Sequence, residues 1–133
     1  MVSSASDEQI EKFKLLKGDV IITKDSETAN DIAVPAYVNE DLENVICGYH
    51  LSIIRQSENM YGKYIFRLFQ HKLFNSQFEI CSNGVTRVGL GVYDLQNALG
   101  VCPPLPEQTA IAAFLDYKTA KIDRFIRKKR FCR

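Results

Sequence analysis

The segment PPLPEQTAIAAFLDYKTAKID, residues 103–123, constrains the fold more than any other part of this 133-residue chain. Residues before proline avoid the helical region, so VCPPLP runs extended. A helix then starts at about Pro106, where proline suits the first turn, and Glu107 meets the positive end of the helix dipole. Ile111, Phe114, Leu115, Ile122, Phe125 and Ile126 form its apolar stripe. A single amphipathic helix of this length is marginal in water. The stripe therefore needs cover: either the helix folds back on its own domain, or it pairs with a second copy in a symmetric dimer.

Charge divides at the same place. From Tyr117 onward there are eight basic residues and one acid, a net +7, whereas Met1 to Asp116 hold nine basic and fifteen acidic residues, a net −6. The basic end suits the helix dipole. It reads as a solvated helix face or as a contact for nucleic acid or an acidic partner. Hydrophobic residues make up 46% and charged residues 25%, the balance of an ordinary globular domain, and the length suggests one domain. No apolar run approaches the ~20 residues of a membrane span. The start, MVSSASDEQIEKFKLL, is too polar for a signal peptide, and a cytoplasmic location follows. Cys47, Cys81, Cys102 and Cys132 form no C-x-x-C clamp and read as buried free thiols.

Along the chain, residues 7–16 read as a short amphipathic lead-in, GDVIIT (18–23) as a strand, and KDSETAND (24–31) as a polar loop. IAVPAYV (32–38) reads as a second strand, with Pro35 placing it at an edge or a bulge. NEDLEN (39–44) is an acidic turn, and VICGYHLSIIR (45–55) a third extended run with a bulge at Gly48. A helix buried on most sides follows, with apolar residues at 61, 64, 65 and 68, Phe66 and Phe69 on another face, and Ser57 or Asn59 as cap. Residues 75–84 read as a second helix, capped by Asn75 and stopped at Asn83-Gly84. VTRVGLGVY (85–93) is a loop with a short strand, and DLQNALG (94–100) forms helical turns after an Asp94 cap. The fold class is α+β: a small mixed or antiparallel sheet with short helices, plus a C-terminal amphipathic helix.

The residues carry little that resembles catalysis. His50 and His71 have no Cys, Asp or Glu at a metal-binding spacing, so they read as a strand histidine and a helix-end histidine rather than zinc ligands. GLGVYD (89–94) lacks the third glycine and the long helix of a dinucleotide fingerprint. Asp25, Glu27, Asp31, Glu40, Asp41 and Glu43 gather in loops and turns, where carboxylates collect in any case. No catalytic set, metal site or cofactor is expected. Two loops remain. Thr23, Lys24, Asp25 and Ser26 follow a strand, and Asn83, Thr86 and Arg87 sit on a glycine-containing turn. Short polar groups with Lys or Arg on loops are the chemistry of phosphate and base-edge contacts.

LKGDVIITKDSE, IAVPAYVNEDLENVICGYHLSIIR, SNGVTRVGLG and PPLPEQTAIAAFLDYKTAKID resemble, in that order, segments of the DNA specificity subunit of type I restriction-modification systems. The resemblance covers roughly residues 10 to 126. Its most specific part is the last: Pro104, Pro106, Glu107, Gln108, Ile111, Ala112, Leu115, Asp116, Ile122 and Asp123 match the start of the spacer helix that follows each target recognition domain in that family. The resemblance implies sequence-specific DNA recognition without catalysis. Residues 1–105 would be a target recognition domain and 106–133 a spacer or dimerisation helix. The loops at 23–26 and 83–87 would face DNA. Ile111, Phe114, Leu115, Ile122 and Phe125 would face a second copy or the methyltransferase subunit, through which the restriction subunit joins.

Three departures from the pattern accompany it. Only Met1 to Leu15 precede the LKGDV segment, so the recognition domain is expected to be partial. The spacer helix is short, ending in RKKRFCR. The body is acidic, which weakens electrostatic attraction to DNA. These departures leave open an alternative role, binding methyltransferase or full-length specificity subunits without independent DNA binding.

Overall fold

The computed structural model describes residues 5–131. Its central strand is β2 (Val20–Thr23), entered from Gly18, whose φ of +92° suits a residue without a side chain. Strand period sets its faces: Val20 and Ile22 are fully buried, while Ile21 and Thr23 are only half-buried. β4 (Pro35–Tyr37) and β6 (Leu51–Ile54) pair antiparallel on either side, giving the order β4-β2-β6. Pro35 therefore lies on an edge strand, as its missing N–H requires. A short helix, α1 (Asp7–Phe13), opens the described chain with a capping box in which Ser6 and Gln9 satisfy each other's backbone N–H.

The extended run expected over 45–55 is two strands that go to different sheets. β5 (Leu42–Ile46) pairs with β1 (Lys14–Leu15), and β6 pairs with β2. Between them the chain turns at Cys47–His50, where the Leu51 N–H donates to the Gly48 carbonyl at 3.0 Å. Gly48 serves that turn rather than a bulge, and His50 lies in the turn rather than in a strand. β5 also takes in part of the expected acidic turn. The polar stretch 24–31 is not wholly loop: it holds the two-residue strand β3 (Asp25–Ser26) and a 3-10 turn at Ala29–Asp31.

Over this sheet pack α2 (Gly62–Gln70) and α3 (Lys72–Cys81). The core joins Val20, Ile22 and Ile32 to Ile65, Phe69, Phe74, Phe78 and Leu90. The Phe69 and Phe78 rings stack at 5.4 Å, and Phe74 meets both edge-on. Neither helix starts where its capping residues suggested. α2 begins after Tyr61 without a side-chain cap, and Ser57 instead bridges to Met60. α3 begins three residues before Asn75. The Asn75 amide donates instead to the Ala33 and Phe69 carbonyls, at 2.9 and 3.2 Å. Ala33 is buried with φ +57°, an unfavourable conformation for a residue with a Cβ. Its amide is held by the Thr23 carbonyl at 2.8 Å and its carbonyl by Asn75.

β7 (Val88–Gly89) and α4 (Val92–Gln96) follow. α4 is preceded by Gly91, with Asp94 inside its first turn rather than capping it. The long helix α5 (Leu105–Phe131) starts within one residue of expectation. Its docked face is narrow. Gln108 and Ala112 are buried, Ile111, Leu115 and Asp116 are half-buried, and every residue from Tyr117 to Arg130 is exposed. The cysteines do not behave as buried thiols: Cys47 is half-buried, while Cys81 and Cys102 are exposed. Cys81 closes α3 on its outer side. Cys102 lies on the surface-running segment before α5, its Sγ 3.1 Å from Met60 Sδ. Cys132 lies outside the described residues. Among the described residues no helix is long and apolar enough to cross a membrane.

Candidate nucleic-acid interface

The two polar loops singled out by their chemistry meet in space. β3 and β7 pair antiparallel, with Asp25 opposite Gly89 and Ser26 opposite Val88. The Leu90 N–H donates to the Lys24 carbonyl at 2.7 Å, and Asn83 and Gly89 exchange backbone hydrogen bonds at 3.0 and 3.2 Å. The turn between them is tight enough to need Gly84: a Cβ there would sit 1.7 Å from the Arg87 carbonyl oxygen. Residues 83–87 are exposed as a consequence.

At the centre of this face is an ion cluster around Asp25. The His50 Nδ1 lies 2.7 and 2.9 Å from the two Asp25 oxygens, and Arg87 Nη2 donates to Oδ1 at 3.1 Å. The hydrogen bond from His50 leads in holding the Asp25 carboxyl below its ordinary value, with added attraction from Arg87 and Lys24. Lys24 places its ammonium 4.6 Å above the Tyr49 ring. The turn between β5 and β6 thus contributes Tyr49 and His50, two members that the loop pattern did not reveal. Thr23 has another role. Its hydroxyl accepts from the Val34 N–H at 3.0 Å and donates to the Asp31 carbonyl, closing the bend at Ala33. Among the described residues no three His, Cys, Asp or Glu side chains converge in a metal-holding group.

The second candidate surface is α5. Its anchor is Gln108. The Gln108 amide nitrogen donates to the Asn59 and Pro103 carbonyls, and its oxygen accepts from the Tyr61 N–H, each at 2.8 Å. Asp116 closes the docked section by accepting from Lys63 at 3.0 Å and Arg67 at 2.7 Å. Beyond it, Ile122, Phe125 and Ile126 stand exposed beside Lys121, Arg124 and Arg127.

The family model for the type I restriction modification DNA specificity domain matches residues 2–129. The chain belongs to that family. This specificity domain is also similar to the HsdS subunit from Thermoanaerobacter tengcongensis, known from a crystal structure. The two share 23% identity with a TM-score of 0.68, over 84% of this chain and 28% of that one. At that identity the likeness concerns the fold. The specificity domain spans 28% of the length of that subunit. No curated protein matches it.

Proposed function

We propose that the β3–β7 face is the DNA-facing surface of this specificity domain and that the exposed half of α5 is its partner surface. The observation that carries the first part is the pairing of Asp25 and Ser26 with Val88 and Gly89, across more than sixty residues of sequence, which brings the loop at Lys24 beside the exposed 83–87 turn and sets Arg87 on Asp25. His50 and Tyr49 join the same face. Residues 1–105 then act as recognition domain and 106–133 as spacer helix, in the cytoplasm where the DNA is. The chain itself is non-catalytic. Methyl transfer and cleavage belong to the methyltransferase subunit, bound along α5, and to the restriction subunit that joins through it.

A mobility-shift titration tests this reading. Affinity for duplex DNA should fall with rising salt, and Lys24→Ala should weaken it and lower the salt slope by about one. Absent binding even at ~50 mM salt refutes the DNA-facing surface. A second reading has its own support in the net −6 of Met1 to Asp116 and the exposed apolar residues of α5. In it the chain binds the methyltransferase or a specificity subunit without DNA binding of its own. Capture of the methyltransferase subunit by a chain that shifts no DNA would select it.

A further inference from the structure

We infer that Arg87 reads a guanine in the major groove and that Asp25 is the positioning residue that aims it. The inference rests on the β3–β7 face being the DNA surface. It separates two uses of a cation at such a surface, phosphate attraction and base-edge readout.

Arg87 is an exposed member of the cluster, its side chain 57% exposed and that of His50 58%, against 21% for Asp25. One of its five N–H donors goes to Asp25, and the rest of the planar fork is left for a ligand. Asp25 is itself held by a second partner. Its two oxygens share His50 Nδ1, and its backbone is pinned in the β3–β7 pair. A guanidinium held this way has lost much of its rotamer freedom before any ligand arrives.

Charge then decides what that ligand is. An arginine that binds phosphate benefits from its full positive charge. Here the Asp25 carboxylate, which His50 shares, lies 3.1 Å away, offsets part of that charge and would repel a phosphate. A neutral base edge suffers no such repulsion. The guanine edge presents two acceptors, N7 and O6, which match the two parallel donors of a guanidinium. Adenine presents a donor beside its acceptor, and that donor opposes one arm of the fork. Lys24 shows the contrasting arrangement. It has no carboxylate within ion-pair distance among the described residues, and its ammonium rests on the Tyr49 face, which suits it to phosphate.

The test is selection from a randomised duplex pool by the full chain, comparing wild type, Arg87→Lys, Arg87→Ala and Asp25→Asn. Wild type is expected to enrich guanine at one position. Arg87→Lys keeps the charge and loses the fork, so that preference should fall about tenfold to a hundredfold while the salt slope stays unchanged. Asp25→Asn should weaken the same preference and no other. Thermal melting of each variant controls for folding. Preference retained in Arg87→Lys overturns the inference. So does a salt slope lowered by about one in Arg87→Ala with the preference intact, which is the signature of a phosphate contact. No duplex binding by wild type at ~50 mM salt refutes instead the DNA-facing surface beneath it.

Discussion

Replacing Gln108 should unfasten the long helix, and the expected loss can be worked from the contacts. Gln108 is fully buried and makes three hydrogen bonds of 2.8 Å, one to the Tyr61 N–H and two to the Asn59 and Pro103 carbonyls. Gln108→Leu keeps the approximate volume and removes all three. The stranded Tyr61 N–H costs about 1–3 kcal/mol. Each stranded carbonyl costs less, because a carbonyl has two lone pairs and tolerates partial satisfaction. The total is about 3 kcal/mol, or about 10 °C in Tm for a chain of this size. Gln108→Glu keeps the acceptor for Tyr61 but aims a carboxylate at two carbonyls, so it should be no better. The assay is urea unfolding followed by far-UV circular dichroism, with a lowered midpoint and an unchanged slope. A loss below about 0.5 kcal/mol in Gln108→Leu would show that the three bonds do not hold the helix. A separate early transition carrying the helix signal alone would show that α5 is not part of the cooperative unit.

Asp116→Asn should flatten the acid limb of the stability profile. Burial alone would raise the Asp116 carboxyl, but hydrogen bonds from Arg67 and Lys63 outweigh it and hold the group below 3.8. A carboxyl lowered in the folded state contributes stability that is present above its unfolded value and lost as pH falls through its folded one. The contribution is about 1 kcal/mol after allowance for the exposure of the pair, and a wild-type-to-mutant difference that stays constant down to pH below 3.8 would contradict the assignment. Gly84→Ala should open the Asn83–Gly89 bridge, because its Cβ would overlap the Arg87 carbonyl. The expected readout is lost hydrogen-exchange protection at the Gly89 amide and weaker DNA binding; unchanged protection counts against the geometry. Ile122→Glu should reduce self-association or methyltransferase capture while leaving Tm within about 2 °C, since the residue lies beyond the docked section. Equal assembly in wild type and variant would remove the exposed stripe as a partner surface.

The parts of the fold that were legible in the sequence are those whose cause is local. α5 announces itself through its prolines, Glu107 and a long helical period, and its observed start differs by one residue. Pro35 cannot donate to a ladder, so one residue narrows its strand to an edge or a bulge, and the sheet order makes it the edge. The misread parts depend on partners far away. Gly48 inside an apolar run looks the same whether the run is one bulged strand or two strands with a turn. Only the pairing of β5 with β1 and of β6 with β2 decides. Asn75 had the chemistry of a cap, but the Ala33 kink 42 residues earlier claims its amide. The candidate site divides the same way. Lys24, Asp25 and Arg87 stand out by loop chemistry, whereas Tyr49 and His50 lie in a run that reads as continuous strand and join the cluster only because the chain turns at Cys47–His50.

The two candidate surfaces occupy opposite ends of β2, and this bears on how the domain works. The anchor of α5 at Asn59–Tyr61 adjoins Gly62, where a Cβ would lie 2.1 Å from the Gly18 carbonyl oxygen, just before the strand begins. The loops of the β3–β7 face leave from Lys24, just after it ends. Between them lie four residues, about 13 Å of strand. Two of the four are fully buried, and β4 and β6 flank the strand. That stretch has little freedom to bend, because its backbone groups are paired and its side chains are packed against α2 and α3. A partner bound along α5 would therefore be held at a fixed orientation to anything bound at Arg87 and Lys24. Substitutions that loosen the anchor, Gln108→Leu first among them, should impair any joint complex of partner and DNA more than they impair either binding step alone. Equal losses in the binary and joint complexes would argue that the strand does not couple the two ends.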